Sequence, residues 1–207
     1  MNTYKTALGN AEFTQSILKS KFIAYLAHAE TEEEASAFVA KIRKKHSDAT
    51  HNCYAYILKT GNTHRSSDDG EPSGTAGMPI YNAILGENLQ DIAVVVTRYF
   101  GGTLLGTGGL VRAYGSSAKG AIDNAEVVSM EETAEYSLLF DYKFLDKINS
   151  LIEQSPDLKC FHTDYGEKIT ITLHIKNNKL DETEKKLKDI TSDNFSMSFV
   201  KTAYLPW

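Results

Sequence analysis

Ile92-Ala93-Val94-Val95-Val96-Thr97-Arg98-Tyr99 is an apolar run without alternation. A half-buried strand would alternate, so this one is expected at the centre of a sheet covered on both faces. It leads through Phe100-Gly101-Gly102-Thr103-Leu104-Leu105-Gly106-Thr107-Gly108-Gly109 into a helical pattern from about Gly108 to Asn124. Leu110, Val111, Tyr114, Ala118, Ala121 and Ile122 form the expected buried face of that helix. Arg112, Ser116, Lys119 and Asp123, spaced four, three and four apart, form the opposite one. A glycine-rich turn from a central strand into a helix N-terminus is an anion cradle, because bare N–H groups point outward. Arg98, Gly106, Gly108, Gly109, Arg112, Ser116 and Lys119 are therefore the candidate anion- or nucleic-acid-binding residues. Close helix–sheet packing that only glycine allows explains the same glycines equally well. Neither the Gly-Lys-Ser/Thr of a P-loop nor the dinucleotide GxGxxG with its acidic partner is present.

Upstream, Arg65-Ser66-Ser67-Asp68-Asp69-Gly70-Glu71-Pro72-Ser73-Gly74-Thr75-Ala76-Gly77-Met78-Pro79-Ile80 places three acids within four positions. Asp68, Asp69 and Glu71 could build a Mg²⁺ or general-base site. The preferred reading is structural: carboxylates capping N–H groups of a helix beginning near Ser73, or pairing with Arg65, Arg98 or Arg112.

Around these segments the pattern is ordinary. Phe13–Ile17 and Phe22–Leu26 read as two strands joined at Lys19-Ser20-Lys21. Thr31-Glu32-Glu33-Glu34 is a capping box with Thr31 as cap and Glu34 returning to it. The helix that follows buries Ala35, Phe38, Val39 and Ile42. Its last turn carries Lys41, Arg43, Lys44 and Lys45, which complement the helix dipole. Cys53–Leu58 reads as a further strand. Beyond Met130 the order is strand, helix, strand, strand, helix, strand, over Glu135–Asp141, Lys143–Gln154, Lys159–Tyr165, Lys168–Lys176, Leu180–Thr191 and Phe195–Ala203. Ile169, Ile171, Leu173 and Ile175 alternate with Thr170, Thr172, His174 and Lys176, which sends His174 to solvent. That order is the ferredoxin-like split βαβ pattern. Two units are thus expected, 1–130 and 131–207, joined by a short link near Glu131.

Of 207 residues, 42% are hydrophobic and 24% charged, which excludes disordered, collagenous and disulfide-rich secreted classes. Cys53 and Cys160 form no CxxC pair, so no cysteine metal site is indicated. No apolar run approaches the roughly 20 residues of a membrane span, and the N-terminus lacks a signal-peptide core. A cytoplasmic protein without a membrane partner is expected. Net charge is −5, with −1 up to Met130 and −4 beyond, and all four arginines lie in the first part. A global electrostatic grip on nucleic acid is therefore not expected, since that usually needs a clearly basic face; any anion site is local.

Nucleophilic signatures fail on inspection. Ser16–Lys19 and Ser116–Lys119 match SxxK, Lys59-Thr60-Gly61 matches KTG and Ser192-Asp193-Asn194 matches SDN. KTG precedes SDN, the reverse of the penicillin-recognising enzymes, so the match is rejected. His51 and Cys53 sit two apart on one strand, yet a free cysteine is usually a small buried hydrophobe.

Ala49-Thr50-His51-Asn52-Cys53-Tyr54-Ala55, Asp68 through Gly77, and Arg98-Tyr99-Phe100-Gly101-Gly102 through Gly106-Thr107-Gly108-Gly109-Leu110-Val111-Arg112-Ala113-Tyr114 together resemble the IMPACT family in its bacterial, YigZ-type branch. The resemblance covers the first part fully. The second part resembles the family's small C-terminal domain in length and element order. It implies an α+β fold: a first domain like domain 2 of ribosomal protein S5, and a second that is ferredoxin-like, as in domains IV and V of elongation factor G. Eukaryotic members carry an extra N-terminal RWD domain and dampen a stress kinase acting on an initiation factor. This chain is expected to start directly at the shared domain, so only a looser association with translation carries over. The resemblance supplies no catalytic residue, metal or cofactor.

The expected function is a non-enzymatic binding module for RNA, the ribosome or a translation factor, using the anion candidates above. His51, Arg65, Asp68, Asp69 and Glu71 form the motif loop. The alternative is a phosphate-handling or metal-dependent hydrolytic enzyme built on Asp68, Asp69 and Glu71.

Overall fold

The computed structural model describes residues 3–207; the first two residues of the domain expected over 1–130 lie outside them. In chain order the elements are β1 (Thr3–Leu8), β2 (Asn10–Ile17), β3 (Ser20–His28), α1 (Glu32–Lys45), β4 (His51–Ile57), β5 (His64–Ser67), α2 (Gly77–Gly86), β6 (Ile92–Tyr99) and α3 (Gly106–Asp123). They continue as β7 (Glu126–Phe140), α4 (Leu145–Gln154), β8 (Leu158–Tyr165), β9 (Ile169–Lys176), α5 (Leu180–Thr191) and β10 (Phe195–Pro206). Residues 4–129 form one compact unit, and 130–207 with Thr3 form the other.

The first unit is a sheet in the order β2-β3-β6-β4-β5, with every neighbouring pair antiparallel. Ile92, Val94 and Val96 of β6 pack against α2 and α3 through Ile80, Ile84, Tyr114 and Ala118. On the other face Val95 meets Val39 and Ile42 of α1, and Ala93 lies with Ala35 and Tyr56. Both faces are covered, which is why the run does not alternate. Strands β3 and β4 are both antiparallel to β6 and so parallel to each other, with α1 crossing between them and β6 inserted. Leu18 and Lys19, both at positive φ, make the two-residue turn between β2 and β3. A Cβ on Gly101 would lie 2.0 Å from the backbone of Lys19, so this turn closes on the exit of β6 only because Gly101 is bare.

The second sheet has five strands, in which β7 pairs with β1, β9 and β10 and β9 pairs with β8; the run β10-β7-β9-β8 within it is antiparallel throughout. Ile148 of α4 and Leu187 of α5 pack against Leu138, Phe140, Ile171 and Leu173 on one face. This is the antiparallel strand–helix–strand pattern read from the sequence.

Several expectations need correction. No link interrupts the chain near Glu131, because β7 runs unbroken through it. Thr31 caps α1 as read, but the Glu34 carboxylate reaches back to the amide of Glu30, one residue earlier. Val111 lies on an exposed face of α3. His174 does not face solvent: it is 5% exposed, with Glu135 at 3.4 Å and the Phe161 ring edge-on at 4.9 Å. Strand β9 is flanked by β7 and β8, and their outer side chains close over it. Alternation reports which face a residue takes, not whether that face is open.

Candidate functional site

The acidic loop falls between the exposed edge strand β5 and α2, and its three carboxylates take three different partners. Asp68 accepts from the amides of Gly74, Ala76 and Gly77 at 2.8, 3.0 and 2.8 Å. These are the bare donors at the start of α2, which begins at Gly77 and not near Ser73. Burial alone would push the Asp68 carboxyl up, but the three amides outweigh it and hold it below the ordinary carboxylate value. Asp69, at positive φ, accepts from Arg43 at 2.5 Å and from the amide of Asn52 at 2.7 Å.

Glu71 turns inward. Its Oε1 accepts from Arg98 Nη1 at 2.6 Å and from the Tyr114 hydroxyl at 2.7 Å. His51 stands directly across the sheet from Arg98. The His51 Nδ1 lies 2.8 Å from the carbonyl of Asp69, so that nitrogen carries the hydrogen, and Nε2 lies 3.9 Å from Glu71. Cys53, two residues on, is fully buried and donates to the Asp68 carbonyl at 3.0 Å. Burial pushes its thiol far up, so it behaves as a small core residue and not as a nucleophile. The three segments quoted from the sequence therefore meet at one place.

That place opens into a cleft of about 420 Å³ lined by His51, Glu71, Arg98, Phe100, Leu104 and Thr107, among others. Above it begins α3, 18 residues long, with no side-chain cap and no acid in its first turn. Gly106 has φ +70°, which only glycine adopts freely. Helix α3 starts at Gly106, two residues earlier than the sequence pattern indicates, so Gly106 through Gly109 make up its first turn.

Of the other anion candidates, Arg98 lines the cleft, while Arg112, Ser116 and Lys119 do not. Arg98 is buried and its charge is matched by Glu71, so it is no free phosphate clamp. Lys119 is paired with Glu87 at 3.2 Å and with Asp123. Ser116 accepts from Gln15 at 2.8 Å. Arg112 is exposed and makes no ion pair among the described residues; with Ser116 it borders a separate groove beside Leu18 and Val111. Arg65 lies opposite Tyr56 on β5 and takes part in no ion pair with the loop acids among the described residues.

Two contributors were not singled out as site residues. By its place in the last turn Arg43 is a dipole partner of its own helix; it also holds Asp69, a contact 26 residues away that no spacing rule reveals. Tyr114 lies on the helix face that the sequence assigns to the core, and its ring is buried there. A tyrosine in place of phenylalanine at a fully buried position was the available signal, since a buried hydroxyl needs a partner.

Residues 18–122 match the Impact N-terminal domain family, and residues 138–194 match a domain family of unknown function, DUF1949. IMPACT family member YvyE of Bacillus subtilis is 36% identical over 207 residues, 99% of this chain and 94% of that one. IMPACT family member YigZ of Escherichia coli is 37% identical over 186 residues, 88% and 91% of the two chains. A solved structure, described only as a hypothetical protein, shares 34% identity with a TM-score of 0.65, covering 97% of this chain and 98% of its own. With both parts of the sequence matched and the quoted motifs converging on one cleft, the chain belongs to the IMPACT family.

Proposed function

We propose that this protein is a non-enzymatic binding module that engages RNA, the ribosome or a translation factor in the cytoplasm, through the glycine-bearing end of its first unit. The observation that carries this reading is the fate of the acidic loop. Asp68, Asp69 and Glu71 each spend their oxygens on a different partner within the fold, so they do not converge on a common point. Among the described residues no three His, Cys, Asp or Glu side chains form a metal-holding group. A hydrolytic centre on these acids would need them to face one reacting atom. What does face outward is a helix terminus without a side-chain cap, exposed Phe100 and Leu104, and Arg112, which is exposed and makes no ion pair among the described residues. Those are contact groups rather than reacting groups.

The split arrangement of β3, α1 and β4 around β6 supports assigning 1–130 to the fold of ribosomal protein S5 domain 2. The order β10-β7-β9-β8 under α4 and α5 supports a ferredoxin-like domain over 131–207. The link to translation comes from the family resemblance. Described helices offer no membrane crossing, as none is long and apolar enough.

The test is titration of labelled single-stranded RNA with the full chain at several salt concentrations, beside purification from lysate with and without RNase. Salt-sensitive binding that RNase removes is expected. Mg²⁺-dependent turnover of a phosphate ester that falls with Asp69→Asn would overturn this reading in favour of the enzyme.

A further inference from the structure

We infer that the cleft beside the α3 N-terminus binds a nucleoside monophosphate, either free or as the 5′ end of an RNA; this rests on the binding reading above and names its ligand class. The cleft, at about 420 Å³, lies in the size range of small-molecule sites, roughly 300–1,000 Å³. Its lining has two chemistries. On the polar side are His51, Thr107 and the first turn of α3, which has no side-chain cap and no acid of its own; the one acid lining the cleft, Glu71, is matched by Arg98. Such a terminus favours an anion, and a phosphate supplies several acceptors at once.

A second observation points the same way independently. Arg98 lines the cleft with its side chain only 5% exposed. Its Nη1 is satisfied by Glu71 and its Nη2 lies 3.4 Å from Ser20 Oγ, but its buried Nε–H has no acceptor among the described residues. Buried donors are rarely left so. Gly106, which lines the cleft, adds a third: a Cβ there would meet nothing within 4 Å, so packing does not require glycine at this helix start. A bare backbone leaves the amides open to close approach.

The apolar side sets the rest of the ligand. Phe100 is 44% exposed and Leu104 84%, both lining the cleft. The Arg98 guanidinium lies 5.4 Å from the Phe100 ring centre. An exposed aromatic ring beside phosphate donors is the arrangement on which a nucleobase stacks. Charge limits the phosphate count. No lysine is among the residues lining the cleft, and Arg98 is already matched by Glu71, so one phosphate fits and a triphosphate does not.

The experiment is calorimetric titration of the full chain with AMP, adenosine, inorganic phosphate, and a short RNA bearing either a 5′-phosphate or a 5′-hydroxyl. AMP should bind at least about tenfold more tightly than adenosine or phosphate. Thr107→Glu places a carboxylate in the first turn, which favours the helix while competing for its amides, and should abolish AMP binding. Thr107→Gln should retain it. Phe100→Ala should weaken AMP and leave phosphate unchanged. A tenfold preference for the 5′-phosphorylated RNA assigns the site to an RNA end; with AMP bound, equal affinity for the two RNAs assigns it to the free nucleotide. Absence of AMP binding at millimolar concentration, or parental affinity in Thr107→Glu, overturns the inference. If RNA still binds in that case, the binding reading stands alone; if it does not, both fall.

Discussion

Arg98 Nη1 donates to Glu71 Oε1 across 2.6 Å, and their side chains are 5% and 3% exposed. The pair ties the acidic loop to the end of the central strand, and Tyr114 ties both to α3. The two glycine-bearing segments are therefore one structural unit. Glu71→Ala leaves a buried guanidinium unpaired and should cost about 3–5 kcal/mol. The double variant Glu71→Ala/Arg98→Met should lose less than the sum of the singles, because it removes the orphaned charge. Denaturant midpoints measure both; a Glu71→Ala midpoint equal to the parent's would mean the pair contributes nothing.

Asp68 gives a pH signature. Its folded carboxyl sits below its unfolded value, so its contribution is complete above about pH 4 and is lost as pH falls through the folded value. Asp68→Asn should cost about 1–3 kcal/mol at neutral pH and approach the parent's stability in acid. Urea titrations from pH 6 downward check this; parallel curves would remove Asp68 from the account.

Two glycines should respond in opposite directions. Gly101→Ala drives a methyl into the Lys19 backbone and should destabilise by at least about 1–3 kcal/mol. Gly108→Ala meets open space within a helix and should stabilise by about 0.5–1 kcal/mol. Thermal melts of the two variants give the comparison, and equal shifts would contradict it.

Arg112 and Lys119 should separate in RNA titrations. Arg112 has no ion-pair partner among the described residues, whereas Lys119 is held by Glu87 and Asp123. Arg112→Ala should flatten the dependence of log affinity on log salt by roughly 0.7. Lys119→Ala should change it less. Equal slopes for all three proteins would make this helix face an ordinary solvated surface.

His174 should affect the acid side of stability in the second unit. Burial holds its imidazole below the ordinary histidine value, against the raising effect of Glu135, and Lys201 lowers it further. With the folded value depressed, its contribution is full above about pH 6.5 and is lost as pH falls from there through the folded value. His174→Asn should flatten that part of the second unit's profile. A profile unchanged by the substitution would show that His174 is not buried in solution.

The elements and the family were legible in the chain itself. The unalternating run from Ile92 to Tyr99 marked the central strand, because only two-sided burial removes the period of two. The strand–helix order past Met130 was read for the same reason, since periodicity is a local property of a chain meeting an apolar core. The glycine and acidic motifs could be quoted, but not assigned. Their meaning depended on contacts between residues 26, 27 and 43 positions apart: Arg43 with Asp69, Glu71 with Arg98, and Glu71 with Tyr114. Whether a charged residue faces solvent or a buried partner depends on what the rest of the chain brings to its other side. For Arg98 and His174, only the tertiary structure decided that.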